Sequence, residues 1–139
     1  TGAMVILDAL AGADEPRVDQ AWLMCAAVSR AYDLRPALRG ARRLINPYSP
    51  ADYLVLNLGT KLFGSADGQA RACAGYQPFD GPGSDDPGLE QIKWDAAWLR
   101  AGHYGGHLGP VAHVAGAFAR DIVAPMIRQR LQRRGEVVA

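Results

Sequence analysis

Hydrophobic residues along the chain fall into short clusters separated by polar and glycine-rich connections. Residues 3–10 are almost all apolar and stop before Gly12, which predicts a short helix. Residues 20–29 form an unbroken apolar run, typical of a strand that is buried on both faces. Residues 42–47 and 89–94 predict a second and a third strand.

Helical signals lie between and after these strands. Residues 33–41 predict a weak helix or turn, and Ser49-Pro50 has the N-cap and N1 residues that open a helix over 51–62. From Val111 onward, apolar residues recur at three- and four-residue steps, which predicts the longest helix. Pro125 lies within that helix and should kink or restart it.

Strands that alternate with helices favour a parallel sheet with crossover connections. The sequence therefore predicts an α/β fold, a three-layer sandwich with a short, mostly parallel sheet flanked by helices. Residues 1–139 would form one partial domain with a long irregular loop at 65–88. Three strands bury little apolar surface and leave an open edge beside the first strand, so we expect further strands upstream in the complete protein. Without those strands, the chain could self-associate through the open edge.

Composition and charge narrow the functional classes. The chain has 139 residues, 49% of them hydrophobic and 21% charged, which is a globular balance. Its formal net charge of +1 argues against nucleic acid or an anionic membrane surface as a partner. The arginines near the C-terminus fit a solvated helix end. No apolar stretch reaches the roughly 20 residues that a transmembrane helix needs.

Two cysteines are too few for a disulfide framework, and neither has a second cysteine at metal-ligand spacing. We expect Cys25 to be a buried small hydrophobic residue and Cys73 to lie in the glycine-rich loop. The sequence predicts no metal and no cofactor. The chain starts at Thr1, not at Met, and shows no signal peptide, so we expect it to be trimmed or incomplete. The sequence therefore predicts no cellular location.

Side chains suited to catalysis follow two of the predicted strands. Asp52 comes after the second strand, while His103 and His107 lie in a glycine-rich turn at 102–110, after the last one. In an open parallel sheet the carboxyl ends of the strands collect ligands and catalytic groups. An acid and a histidine at that edge are the pair that a serine hydrolase uses beside its nucleophile.

In this order of elements the chain resembles the α/β-hydrolase family, in which nucleophile, acid and histidine follow one another along the chain. Thr1-Gly2-Ala3, followed at once by an apolar helix, looks like the second half of a Gly-x-Ser-x-Gly elbow. The resemblance implies that the serine would directly precede Thr1, that Thr1 supplies an oxyanion-hole N–H, and that Asp52 and His107 complete the triad. The serine and the first half of the fold are absent from the sequence.

Several residues keep a second interpretation. His103 is the alternative to His107, which we prefer because glycines flank it closely and Pro110 follows. Asp52 could serve only as a helix cap, and Thr1 could be an arbitrary start. His113 is expected to be structural. Ser29 and Ser49 lack an elbow and are not favoured as nucleophiles.

The sequence thus predicts the C-terminal part of an esterase- or lipase-like acyl hydrolase, acting in its complete form on a small-molecule ester, thioester or amide. The chain alone should be inactive. One alternative is an amidohydrolase whose nucleophile is the N-terminal residue Thr1. Another is a non-catalytic α/β interaction module.

Overall fold

The computed structural model describes residues 2–52, 62, 64–95, 119–133 and 135 of the chain. Within these residues the elements alternate between helix and strand before the long loop. In chain order they are α1 (Gly2–Ala11), β1 (Ala21–Trp22), α2 (Arg35–Gly40), β2 (Leu44–Tyr48), β3 (Leu89–Lys93), a π-helical turn (Ala119–Val123) and α3 (Ala124–Arg133).

The three strands form a parallel sheet in the order β1-β2-β3. Ala21 lies opposite Leu44, and Leu44 lies opposite Leu89. Leu44 and Ile45 are fully buried, as expected of a central strand that is covered on both faces. The predicted mixed α/β class and parallel sheet are therefore confirmed, as are the second and third strands to within two residues.

The first strand is much shorter than predicted. Only Ala21 and Trp22 pair with β2 as a strand, whereas the apolar run extends from residue 20 to 29. Leu23, Ala26 and Val28 are still completely buried. The hydrophobic run was thus a correct sign of burial for these three residues and a wrong sign of strand length, because after Leu23 the chain leaves β2 and pairs with a different segment.

That segment belongs to the long loop between residues 64 and 88. The amide of Ala74 donates to Val28 O, and the amide of Gly75 donates to Ala26 O, both at 2.8 Å. The Ser29 amide donates to Asp67 Oδ1 at 3.0 Å. The part of the loop that the structure describes contains neither helix nor strand, as predicted, yet repeated hydrogen bonds hold it against residues 26–31.

The core lies between α1, α2 and the sheet. Leu7 of α1 and Leu34, just before α2, are fully buried and share one apolar cluster with Leu44. The two helices approach so closely that a Cβ placed on Gly40 would lie 2.3 Å from the carbonyl oxygen of Leu10. Glycine at this position lets the backbones of α1 and α2 touch, and both predicted helices are confirmed.

The last described helix changes its hydrogen bonding at Pro125. Residues Ala119–Val123 form a π-helical turn, and the regular α-helix begins at Ala124. Proline lacks the N–H that would continue the preceding pattern, so the interruption predicted for Pro125 is confirmed. None of the described helices is long and apolar enough to cross a membrane.

The arginines of α3 are not all solvated, contrary to the prediction. Arg128 and Arg133 are exposed, but Arg130 forms an ion pair with Glu90 of β3, and its side chain is only 21% exposed. Arg130 also donates to Gln20 Oε1 at 3.3 Å. The cluster of arginines correctly indicated the C-terminal end of a helix, where positive charge is favourable. It could not indicate that one of them pairs with an acid 40 residues away in sequence.

Candidate functional site

The carboxyl ends of the three strands meet at one edge of the sheet, because the strands are parallel. β1 ends at Trp22, β2 at Tyr48 and β3 at Lys93. The residues that follow the first two strands include Cys25 and Asp52. This carboxyl edge is where catalytic groups of open parallel sheets usually collect.

Asp52 is buried, with 4% of its surface exposed. A tight turn carries it there: the Ser49 hydroxyl oxygen accepts from the Ala51 amide at 3.2 Å, and the Asp52 amide donates to the Ser49 carbonyl at 3.1 Å. The first of these bonds has the i to i+2 form expected of Ser49 as an N-cap, but Ala51 lies in a turn and Asp52 in neither helix nor strand, so the predicted helix does not begin at residue 51. Residues 53–61 of that prediction lie outside the described residues.

The turn is itself fixed by the long loop. The Ser49 amide donates to the Gly75 carbonyl at 2.8 Å, while the Gly75 amide donates to Ala26. Residues 72–75, here called the crossing segment, therefore connect the chain that follows β1 to the chain that follows β2. Because of this connection, the position of Asp52 relative to β1 is set by main-chain hydrogen bonds.

Cys25 occupies an unusual position at the same edge. Its φ of 50° lies in the left-handed region, and it is the one non-glycine residue with positive φ in the described part of the chain. The residue as a whole is exposed, which contradicts the prediction that it is buried. It stands where the chain turns away from β2, and such a turn exposes a residue that a continuous strand would cover.

The thiol of Cys25 is nevertheless in protein surroundings. Its pKa is raised from 9.0 to about 11, chiefly by burial of the sulfur, then by the negative charge of Asp52 and by Cys73. Cys25 and Asp52, which both lie at the carboxyl edge, are thus close enough to interact electrostatically. A thiol held neutral in this way is a poor nucleophile at neutral pH.

Asn46 is a fully buried polar side chain within β2. Its Nδ2 donates to the Ala74 carbonyl at 2.9 Å, which ties β2 to the crossing segment. Its Oδ1 has no hydrogen-bond partner among the residues that the structure describes. One amide group therefore supports the connection on which the position of Asp52 depends.

The other predicted catalytic residues lie outside the described residues. These are Thr1, His103, His107 and the structural candidate His113. The pairing of Asp52 with a histidine therefore stays a prediction. Ser29 is 1% exposed, and its hydroxyl oxygen accepts from the Ala31 amide, which fits its rejection as a nucleophile.

Only part of this site was predictable from the sequence. Asn46 could have been singled out as a lone amide in an otherwise apolar strand, a common mark of a specific buried hydrogen bond. Cys25 could not, because a cysteine in an apolar run fits burial in a strand equally well. The crossing segment depends on contacts between residues far apart in sequence, which no local pattern reports.

No protein-family model matches the chain, and neither a curated protein nor a solved structure is significantly similar to it. Within the described residues, no group of three or more His, Cys, Asp or Glu side chains could hold a metal ion. The chemistry that the carboxyl edge offers is that of a buried carboxylate placed by a rigid turn. Such a group can orient an imidazole and stabilise its protonated form.

Proposed function

We propose that this chain is the C-terminal part of a serine hydrolase of the α/β-hydrolase type, acting on esters, thioesters or amides. The observation that carries the proposal is the placement of Asp52. It is a buried carboxylate at the carboxyl edge of a parallel sheet, four residues after β2 ends at Tyr48. A carboxylate that serves only to cap a helix gains nothing from such burial, since exposed acids cap equally well.

In the proposed mechanism the nucleophile is a serine that precedes Thr1. His107 removes the proton from the serine hydroxyl as the oxygen attacks the substrate carbonyl, and then gives that proton to the leaving group. Water repeats the sequence to release the acid. Asp52 keeps the imidazole in the correct tautomer and stabilises its positive charge, and the Thr1 N–H donates to the oxyanion.

The sheet geometry supports this division of roles. In the α/β-hydrolase order the acid and the histidine follow successive late strands, and here β2 and β3 are parallel neighbours in the sheet. The glycine-rich stretch 102–110, which follows β3 in the sequence, contains both His103 and His107. Side chains that follow neighbouring parallel strands start from the same edge, which is the precondition for an Asp–His hydrogen bond.

Substitutions in a protein extended upstream to include the serine would test the proposal. Asp52→Asn keeps the shape of the side chain but removes the charge, so it should lower kcat for p-nitrophenyl esters strongly. His107→Ala should do the same, while His103→Ala should matter less and His113→Ala least. If both Asp52→Asn and His107→Ala left kcat unchanged, the proposed mechanism would be wrong.

Residues 1–139 alone provide the matched negative control. They contain the proposed acid and histidine but not the nucleophile, so they should show no ester turnover above buffer. A serine-directed fluorophosphonate should label the extended protein and leave the short chain unlabelled. Labelling of the short chain at Ser29 or Ser49, with activity, would place the nucleophile elsewhere and overturn the assignment.

A further inference from the structure

A polar cavity lies at the amino edge of the sheet, the edge opposite to Asp52. Its volume is about 460 Å³, which is within the range of small-molecule sites. The residues that line it come from the starts of all three strands and from the last turns of α3: Asp19, Gln20, Arg43, Glu90, Arg130 and Arg133.

Among the described residues that line this cavity, positive charge exceeds negative charge. Three guanidinium groups face two carboxylates there. Glu90 is shared, because Arg130 pairs with it directly and Arg43 approaches the same oxygen only to 3.7 Å. The distance from Arg43 is an ion-pair contact that leaves its N–H donors unused by Glu90.

Arg133 adds a second guanidinium with unused donors. It lies one helical turn after Arg130 and has no ion pair or hydrogen bond with any residue in the described ranges. Arg130 is held in place by its bonds to Glu90 and Gln20, so its side chain forms a fixed part of the cavity lining. Arg43, just before β2, and Arg133, in α3, therefore offer donors to one open cavity from two parts of the chain.

We infer that this cavity binds a small oxyanion of the phosphate class, held by Arg43 and Arg133. Guanidinium groups present planar pairs of N–H donors that match the oxygens of phosphate, and an anion would balance the surplus positive charge. Glu90 would position Arg130 and leave the other two arginines for the ligand. This site is separate from the proposed hydrolase site, and its existence does not depend on that proposal.

Isothermal titration calorimetry with inorganic phosphate, at neutral pH and constant ionic strength, tests this inference. The purified chain should bind phosphate, and Arg43→Gln or Arg133→Gln should each weaken binding by about tenfold, the effect of losing one charge-assisted contact. Arg133→Lys should be intermediate, because it keeps the charge but loses the paired donors.

The matched controls are Arg42→Gln and Arg128→Gln. Both are exposed: Arg42 directly precedes Arg43 in the chain, Arg128 lies on α3 with Arg130 and Arg133, and neither lines the cavity. They should bind phosphate as the unsubstituted chain does. The inference is overturned if the unsubstituted chain gives no phosphate-dependent heat, or if the control variants lose as much affinity as the cavity variants, which would indicate only a general charge effect.

Discussion

The side-chain amide of Asn46 donates to the main-chain carbonyl of Ala74, 28 residues further along the chain, at a distance of 2.9 Å. Asn46 lies in the central strand and is completely buried. Ala74 belongs to the crossing segment, which also receives the Ser49 amide and donates to Ala26 and Val28. The chain that follows β1 and the turn before Asp52 are thus joined through one short stretch of main chain.

Asn46→Leu should destabilise the protein by about 1–3 kcal/mol, because the Ala74 carbonyl would be left buried without its donor. Asn46→Asp should cost more at neutral pH, since it buries a charge beside a carbonyl oxygen. Urea unfolding of both variants, compared with the unsubstituted protein, measures these differences. Equal stability of all three proteins would show that the bond contributes nothing.

The Asn46→Asp variant should also show a pH dependence of known sign. Burial raises the pKa of the new carboxyl in the folded state above its ordinary value of about 4, so the folded state binds the proton more tightly. The loss of stability relative to the unsubstituted protein should therefore be small below about pH 4. It should grow as the pH rises from there through the raised pKa of the folded state. A penalty that did not change with pH would mean that the carboxylate reaches solvent.

Gly40→Ala should destabilise the protein by about 1–3 kcal/mol through overpacking. Its new Cβ would lie 2.3 Å from the Leu10 carbonyl oxygen, and main-chain atoms cannot move aside as a flexible side chain does. Gly12→Ala is the matched control, because its nearest neighbours would be 3.9 Å away. Thermal unfolding followed by circular dichroism should separate the two variants, and similar transitions in both would contradict the close approach of α1 and α2.

Cys25 should react slowly with iodoacetamide. A pKa of about 11 in place of 9.0 lowers the thiolate fraction near neutral pH about a hundredfold, so alkylation should accelerate as the pH rises toward 11. Asp52→Asn should lower this pKa and speed the reaction, because the carboxylate is one cause of the shift. Mass spectrometry of the alkylated peptide gives the rate at Cys25 separately from that at Cys73.

The cysteine measurement also contains its own control. In urea, both cysteines should react as ordinary thiols, because burial no longer disfavours the thiolate. In the folded protein Cys73 is fully buried and should react only after unfolding. If Asp52→Asn left the pH dependence of Cys25 unchanged, the two residues would not interact across the carboxyl edge.

The ion pair between Arg130 and Glu90 should hold α3 against the sheet. We expect a coupling free energy of about 1 kcal/mol from a double-mutant cycle of Arg130→Gln and Glu90→Gln, since the pair is only partly exposed. The same cycle with the exposed Arg128 in place of Arg130 should give a coupling near zero. Urea unfolding of each variant supplies the four free energies, and equal couplings would show that Arg130 has no specific role.

How much the sequence could predict depends on the range of the interactions involved. β2 was predictable from a short apolar run that is buried in the sheet, and β3 from an alternating pattern, although its residues are only partly covered. β1 was overextended because Leu23, Ala26 and Val28 are buried whether the chain pairs with β2 or with the crossing segment. The apolar pattern records that these side chains avoid water, and it does not record which main chain they pair with.

In the candidate site, too, features set by local sequence were predictable and features set by long-range contacts were not. The position of Asp52 at the carboxyl edge was predictable because it follows a strand, and the Ser49 bond of its turn follows from the local tendency of a serine hydroxyl to bond the main chain two residues on. Cys25 adopts its left-handed conformation where the chain leaves β2, and the buried bond of Asn46 is made to Ala74 of the long loop. Such contacts join positions far apart in sequence, and only the three-dimensional arrangement shows them.

The way the loop is attached to residues 26–31 has a consequence for how this chain can change during evolution. Ala66 bonds to Ala27, Ala72 to Arg30, and Asp80 again to Arg30, so the loop returns to one short scaffold three times. Insertions or deletions at those returns would break several bonds together. An insertion beside the exposed Ala70, between the Gln69 carbonyl that accepts from Ser65 and the return at Ala72, should be tolerated better than one at the returns themselves.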